Sequence, residues 1–264
     1  MDLKEAKFRT QSIVARHPWE LARLEVVIDL AEKRLDEMNA SGGVLLDMGC
    51  GDTWFVEQLS SRYSNIRCFA VDINFTDDTL EFLRDKNKHT KIQVFRTLDD
   101  AQVALGSDSV DMVLLLDVIE HIADDIAFLK WMQTFQSIDN TTQFVITVPA
   151  FQSLFSRHDV FLEHYRRYDN AMLERHINQA GLKSEKKGYF FLSLLLARAA
   201  AVFMEKATKN DKPTTGLVEW NKGHGVTAAI RNVMLFDHYF TKLFSKLGIK
   251  LPGLSNYIIC RRSA

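Results

Sequence analysis

Val44-Leu-Leu-Asp-Met-Gly-Cys-Gly-Asp-Thr-Trp-Phe55 decides the fold. Its first half is an apolar run suited to a buried strand, its centre is a Gly-x-Gly bend, and its end opens a helix. Glycines permit the tight turn and let a ligand lie against bare backbone, where a Cβ would collide. Two nucleotide-type readings compete. A dinucleotide fingerprint needs a third small residue where helix and strand touch. That position is Trp54, which is too large. The other reading is a strand ended by an acid, Asp47, with Gly49, Cys50 and Gly51 forming a cradle.

Working outward, short apolar runs at 44–48, 68–73, 92–95, 110–116 and 144–148 read as buried strands. Helical stretches at 54–63, 78–87 and 124–136 lie between them. Strand and helix taking turns predicts a doubly wound, mostly parallel α/β sheet. Upstream, Pro18 suits a first helical turn, and Leu21, Leu24, Ile28, Ala31, Leu35 and Met38 then share one face. Downstream, residues 170–180 read as a helix closed by Gly181, and the apolar stretch 189–204 as a strand running into a helix. That stretch is too short for a membrane span, which needs about 20 residues. The polar segment 206–225 is expected to be a loop or lid, 226–247 a helix, and 256–262 a last strand. The expected organisation is a helical extension over 1–42, a cofactor-binding core over 43–188, and a helical cap with the final strand over 189–264.

Bulk properties narrow the function. The chain has 264 residues, 47% hydrophobic and 25% charged, a globular balance that gives no case for disorder. Lys+Arg of 33 against Asp+Glu of 34 leaves a formal net charge of −1, so no nucleic-acid partner is expected. Cys50, Cys68 and Cys260 form no C-x-x-C pair, which argues against a disulfide framework or a zinc site. The opening residues are charged and lack an apolar signal, so a cytoplasmic protein is expected.

Candidate site residues follow the strand ends. Asp72 closes the second strand about 20 residues past Gly51, where an ionised carboxylate can accept from both ribose hydroxyls of a nucleoside. Ile73 follows it. After the third strand come Asp99 and Asp100. The fourth strand ends in Asp117-Val-Ile-Glu-His121, which delivers a histidine to the carboxyl edge, where open α/β sheets bind ligands. Beyond the fifth strand, the segment from Pro149 to Tyr168 brings His158, Asp159, His164, Tyr165, Arg166, Arg167 and Tyr168. Its histidines can take a proton, and its arginines can hold a carboxylate or phosphate. It serves equally as a flap whose charges pair with one another. It contains no i,i+4 histidine pair, and no metal is expected.

The bend with Asp47, the acid at Asp72 and the D-V-I-E-H string together resemble class I S-adenosylmethionine-dependent methyltransferases, in particular the small-molecule branch similar to ubiquinone-biosynthesis O-methyltransferases. The resemblance runs from about Val44 to Gly181. It departs at Thr53, where the family often has a further glycine. It implies a Rossmann-like, seven-stranded fold with S-adenosylmethionine as cofactor, held by Asp47, Gly49, Cys50, Gly51, Asp72, Ile73, Asp99 or Asp100, Asp117 and Val118. It also implies methyl transfer to a small acceptor, with His121, His158 or His164 as base and Tyr165, Arg166, Arg167 and Tyr168 toward the acceptor. Oxygen is the expected methyl acceptor, with carbon, nitrogen or a non-catalytic accessory role as alternatives. Aromatic residues around 189–192 and 236–244 exceed what a core needs. They suit a partly apolar acceptor, and equally a homodimer, a carrier-bound substrate or a peripheral membrane contact.

Overall fold

The computed structural model describes residues 16–208, 220 and 222–263. Helix α1 (Pro18–Ser41) is bounded by local chemistry. The His17 imidazole accepts from Trp19 N at 3.2 Å, and the Glu20 carboxylate accepts from His17 N at 3.0 Å, a reciprocal cap. Gly42, at φ 77, ends it. Then β1 (Val44–Met48), α2 (Trp54–Arg62), β2 (Arg67–Val71), α3 (Asp77–Asn87), β3 (Ile92–Phe95), α4 (Leu98–Leu105) and β4 (Met112–Leu116) alternate. The second half holds α5 (Asp125–Met132), β5 (Gln143–Pro149), the short α6 (Arg157–Phe161), α7 (Asn170–Gln179) and β6 (Leu182–Phe190). Helices α8 (Leu192–Thr208) and α9 (Gly223–Lys246) form a cap, and β7 (Ser255–Arg262) closes the chain's sheet.

Seven strands form one sheet in the order β3-β2-β1-β4-β5-β7-β6, and only β7 runs against its neighbours. The chain therefore has a Rossmann-like, doubly wound α/β fold, mostly parallel. Because β2 and β4 flank β1, the winding reverses there and opens a crevice at the carboxyl ends of β1 and β4.

Both β1 and β4 are buried throughout, as strands covered on two faces should be. Successive side chains supply opposite cores. Leu45, Met112 and Leu114 pack with Val27, Leu35 and Met38 of α1. Leu46, Val113 and Leu115 pack with Leu98 of α4, Leu129 of α5 and Leu173 of α7. The cap is pinned to α1 through Asp29, which accepts from Lys242 Nζ at 2.6 Å and lies 2.9 Å from His238 Nε2.

The boundary at 188 cuts through β6, whose register with β7 runs from Leu182 to Phe190. Its polar stretch hid the strand, because an edge strand needs no continuous apolar run. Helix α4 was absent from the sequence reading, and most of the expected loop at 206–225 lies outside the described residues. Among the described residues, no helix is long and apolar enough to cross a membrane.

Candidate active site

A cavity of about 740 Å³ opens at the crevice. Along the sheet edge its wall passes from Asp72, Ile73 and Asn74 after β2 to Gly49 after β1. Asp117, Val118, Glu120 and His121 follow after β4, and His158, His164 and Arg167 come from the segment after β5.

The bend is as tight as its glycines demand. Gly49 has φ 76, and a Cβ there would sit 2.7 Å from Val118 Cγ2. Thr53 occupies the left-handed region at φ 64, which is costly for a β-branched residue and explains the glycine common at this place in the resembling family. Its hydroxyl donates to Glu57 Oε1 at 2.7 Å. Asp72 ties bend to sheet: Oδ2 accepts from Gly51 N at 3.0 Å and Oδ1 from Asn74 N at 2.9 Å. Burial pushes its pKa up, and those backbone donors pull against the shift. Each oxygen keeps acceptor capacity toward the cavity. Beside it Ile73 is 71% exposed, an apolar side chain at the cavity mouth with little of its own to pack on.

Other residues expected at the cofactor stand behind the wall. Asp47 is buried on the α1 face of the sheet and does not line the cavity. Burial, reinforced by the nearby Asp72 charge and opposed by Arg23, pushes its pKa up to about 7. Cys50 is buried, and desolvation lifts its thiol well above the ordinary range. Gly51 contributes through its N–H to Asp72. Asp99 and Asp100 do not reach the cavity. Both are exposed in the first turn of α4, where they favour the positive helix end, and Asp100 accepts from the capping Thr97 hydroxyl at 2.7 Å.

Asp117 ends β4 at φ 57. Its N–H donates to Thr147 O at 2.9 Å, and its carboxylate forms an ion pair with Arg23. The Arg23 guanidinium lies 4.7 Å from the Trp19 ring centre. Thus α1 supplies a wall, through His17, Trp19 and Arg23, that the sequence reading treated only as support. The available signal was Arg23 itself, an ionised residue between Ala22 and Leu24 on a buried helix face.

The far part of the cavity is built around two buried carboxylates. Asp159, fully buried, accepts from Arg167 Nε at 2.7 Å and from Ser156 N at 2.9 Å, and lies 2.9 Å from His164 Nδ1. Burial alone would raise its pKa, but the His164 hydrogen bond and the Arg167 charge outweigh it and hold the group ionised. The His164 and His121 rings meet edge-on with centres 4.6 Å apart. His158 also lines the cavity, where burial and the Arg198 charge push its pKa below the ordinary value and favour the neutral imidazole. The second carboxylate, Glu120, is 0% exposed, and neither of its oxygens has a hydrogen-bond partner among the described residues. Burial and the neighbouring Asp117 charge push its pKa up. The sequence reading passed over it.

The flap residues divide. Arg167 lines the cavity but spends its Nε on Asp159. Tyr165 is 58% exposed and off the cavity. Arg166 pairs with Asp125 at 3.1 Å, and the buried Tyr168 donates to Asp125 Oδ2 at 2.7 Å. Asp125 thus draws Arg166 and Tyr168 away from the crevice into structural roles, while Tyr165 stands exposed outside it. The expected aromatic surface divides as well. Phe190 and Phe191 are core residues, Phe236 and Tyr239 face outward, and the cap reaches the cavity through Leu194 and Arg198.

A family model described as a methyltransferase domain matches residues 20–187. Among solved structures, a SAM-dependent methyltransferase from Archaeoglobus fulgidus aligns at 18% identity over 90% of this chain and 94% of its own, with a TM-score of 0.49. The mitomycin 7-O-methyltransferase MmcR aligns at 8% identity over 94% of this chain and 61% of its own, with a TM-score of 0.48. An O-methyltransferase from neocarzinostatin biosynthesis, solved with S-adenosylmethionine and 2-hydroxy-5-methyl naphthoic acid, aligns at 15% identity over 56% of this chain and 46% of its own, with a TM-score of 0.45. No curated protein matches the sequence. Since the family match spans well over half of the sequence and the sheet order and glycine bend accord with it, the chain belongs to the methyltransferase-domain family and is an S-adenosylmethionine-dependent methyltransferase.

Proposed function

We propose that this enzyme methylates a hydroxyl oxygen of a small, partly apolar acceptor. The observation that carries the reading is one continuous cavity of about 740 Å³, with the glycine bend and Asp72 along one part and three imidazoles along another. Its size lies within the 300–1,000 Å³ of ordinary ligand sites.

S-adenosylmethionine supplies a methyl group on a sulfonium sulfur, and transfer to a hydroxyl leaves a thioether and one proton to remove. Asp72 accepts from the ribose hydroxyls, and Ile73 covers the adenine. Gly49 lets the backbone approach, while Asp117 and Val118 border the methionine part. Asp47, Cys50 and Gly51 act behind them by holding the bend. Leu116, Phe128, Trp131, Leu162 and Leu254 line the cavity with apolar surface, which favours an aromatic or acyl-bearing acceptor over a highly charged one. Holding the acceptor oxygen in line with the methyl can remove about 7–11 kcal/mol of barrier. An imidazole nitrogen of His158, kept neutral by its surroundings, takes the hydroxyl proton, a contribution of about 10²–10⁴-fold.

The test is transfer of an isotopically labelled methyl group to matched phenols, amines and active-methylene compounds, with products identified by mass spectrometry. Hydroxyl acceptors should be methylated, and His158→Gln should lower kcat about a hundredfold with KM little changed. Methylation confined to nitrogen or carbon acceptors would refute the reading.

A further inference from the structure

We propose that Glu120, His121 and His164 bind a divalent first-row transition-metal ion at the acceptor side of the cavity. Donor atoms of these three side chains lie within 4.8 Å of one another. Donors about 2.0–2.2 Å from one ion are typically about 3–4 Å apart, so a small inward movement completes the set. Two imidazoles and one carboxylate on one side of an ion leave further positions open toward the cavity, an arrangement suited to zinc, manganese or iron rather than calcium.

Two independent observations point to a cation. The first is the isolation of Glu120. A fully buried carboxyl group whose oxygens both lack hydrogen-bond partners among the described residues is costly, and a metal ion bound to it removes that cost. The second is the support behind His164. Its Nδ1 lies 2.9 Å from Asp159 Oδ1, which also accepts from Arg167 Nε at 2.7 Å. A carboxylate–histidine pair of this kind orients an imidazole for a metal and raises its basicity. The edge-on His121 ring, delivered by the short turn Ile119–His121 directly after β4, supplies the third donor beside it. The site therefore sits where the acceptor is expected, on the far side of Asp117 from the glycine bend along the sheet edge.

The ion's role rests on the hydroxyl-methylation reading above, whereas its binding does not. An acceptor hydroxyl in an open metal position becomes more acidic, as bound water does. Its O–H bond then breaks with the proton passing to His158. The oxygen electron pair forms the bond to the methyl carbon as the carbon–sulfur bond breaks. No redox change occurs.

The experiment is titration of chelator-treated, full-length protein with Mn²⁺, Co²⁺ and Zn²⁺ in excess Mg²⁺. Binding is read by calorimetry, by the Mn²⁺ resonance spectrum and by the Co²⁺ absorption bands. One ion per chain with micromolar or tighter affinity is expected, and Co²⁺ bands should report nitrogen ligands. Glu120→Gln and His164→Gln should each weaken binding at least a hundredfold. Asp159→Asn should weaken it about 10–100-fold, as expected for an outer-shell partner. S-adenosylmethionine titration of the same variants reports whether each is folded. Absence of binding in the wild type, or affinity unchanged in both folded ligand variants, would overturn the proposal. Hydroxyl methylation by metal-free protein at full rate would remove the ion's role and leave the function standing. Metal binding with transfer only to nitrogen would do the reverse.

Discussion

Asp72→Ala removes the acceptor of two backbone donors and the carboxylate that faces the cavity beside Ile73. Hydrogen bonds to a charged group contribute about 1.5–3 kcal/mol each. Two ribose hydroxyls would therefore lose about 3–6 kcal/mol gross. The free carboxylate also gives up hydration when the nucleoside binds, which leaves a net loss of about 2–3 kcal/mol, or about 30–150-fold in Kd. The Gly51 bend also loses its tether to β2, which adds to the effect. Asp72→Asn keeps the shape and one acceptor, yet its amide nitrogen must face one of the two N–H donors, so it should bind nearly as poorly as alanine. Calorimetry with S-adenosylmethionine and with S-adenosylhomocysteine reads the affinities, and thermal unfolding without ligand checks the fold. A folded Asp72→Ala protein with Kd within threefold of wild type would refute the argument.

Further outcomes follow from the same geometry. Gly49→Ala places a Cβ 2.7 Å from Val118 Cγ2 at φ 76. It should destabilise the fold by about 1–3 kcal/mol and weaken cofactor binding more than tenfold; unchanged calorimetric affinity would show the bend is not a contact. Asp47 has a folded-state pKa of about 7, above the unfolded value of about 3.9, so its protonated form favours the fold below about pH 4 and that contribution is lost as pH rises toward 7. Asp47→Asn should accordingly raise the denaturant-measured stability at pH 8, by up to about 4 kcal/mol at about 1.4 kcal/mol per unit, and by little at pH 4. An equal gain at both pH values would contradict the assignment. Tyr168→Phe strips the buried Asp125 of a donor at 2.7 Å and should cost about 1–3 kcal/mol of stability with acceptor KM unchanged. A raised KM with unchanged stability would restore Tyr168 to the substrate site.

The fold was legible because its strong signals are local. The run Val44–Met48 and the run Ile92–Phe95 are recovered residue for residue as β1 and β3, β5 extends the expected run by one residue at each end, and β7 by one at its start. Apolar runs bounded by polar helices require no knowledge of distant partners. What escaped was either weakly apolar or dependent on tertiary contact. Strand β6 carries Lys183, Glu185, Lys186 and Lys187 and is held by pairing with β7 alone among the described strands. Helix α4 begins where two aspartates looked like base-reading residues, and its Thr97 cap turns them to solvent.

Within the site, residue type was visible but allegiance was not. His164, Arg166, Arg167 and Tyr168 stand almost consecutively, and nothing in their order says which face the crevice. Two buried aspartates sort them. Asp159 collects His164 and Arg167 at the cavity wall, while Asp125 collects Arg166, Tyr168 and His176 behind it. Asp125 lies far away in sequence from all three of its partners, so its pull on them exists only after β4 and β5 have brought α5 beside α7. The same logic made Glu120 invisible. A glutamate before a histidine is unremarkable in sequence; it becomes informative when folding buries both oxygens beside two imidazoles with no hydrogen-bond donor to meet them among the described residues. Buried charge with its partners accounted for marks architecture, and buried charge without them marks the place where a ligand completes the structure.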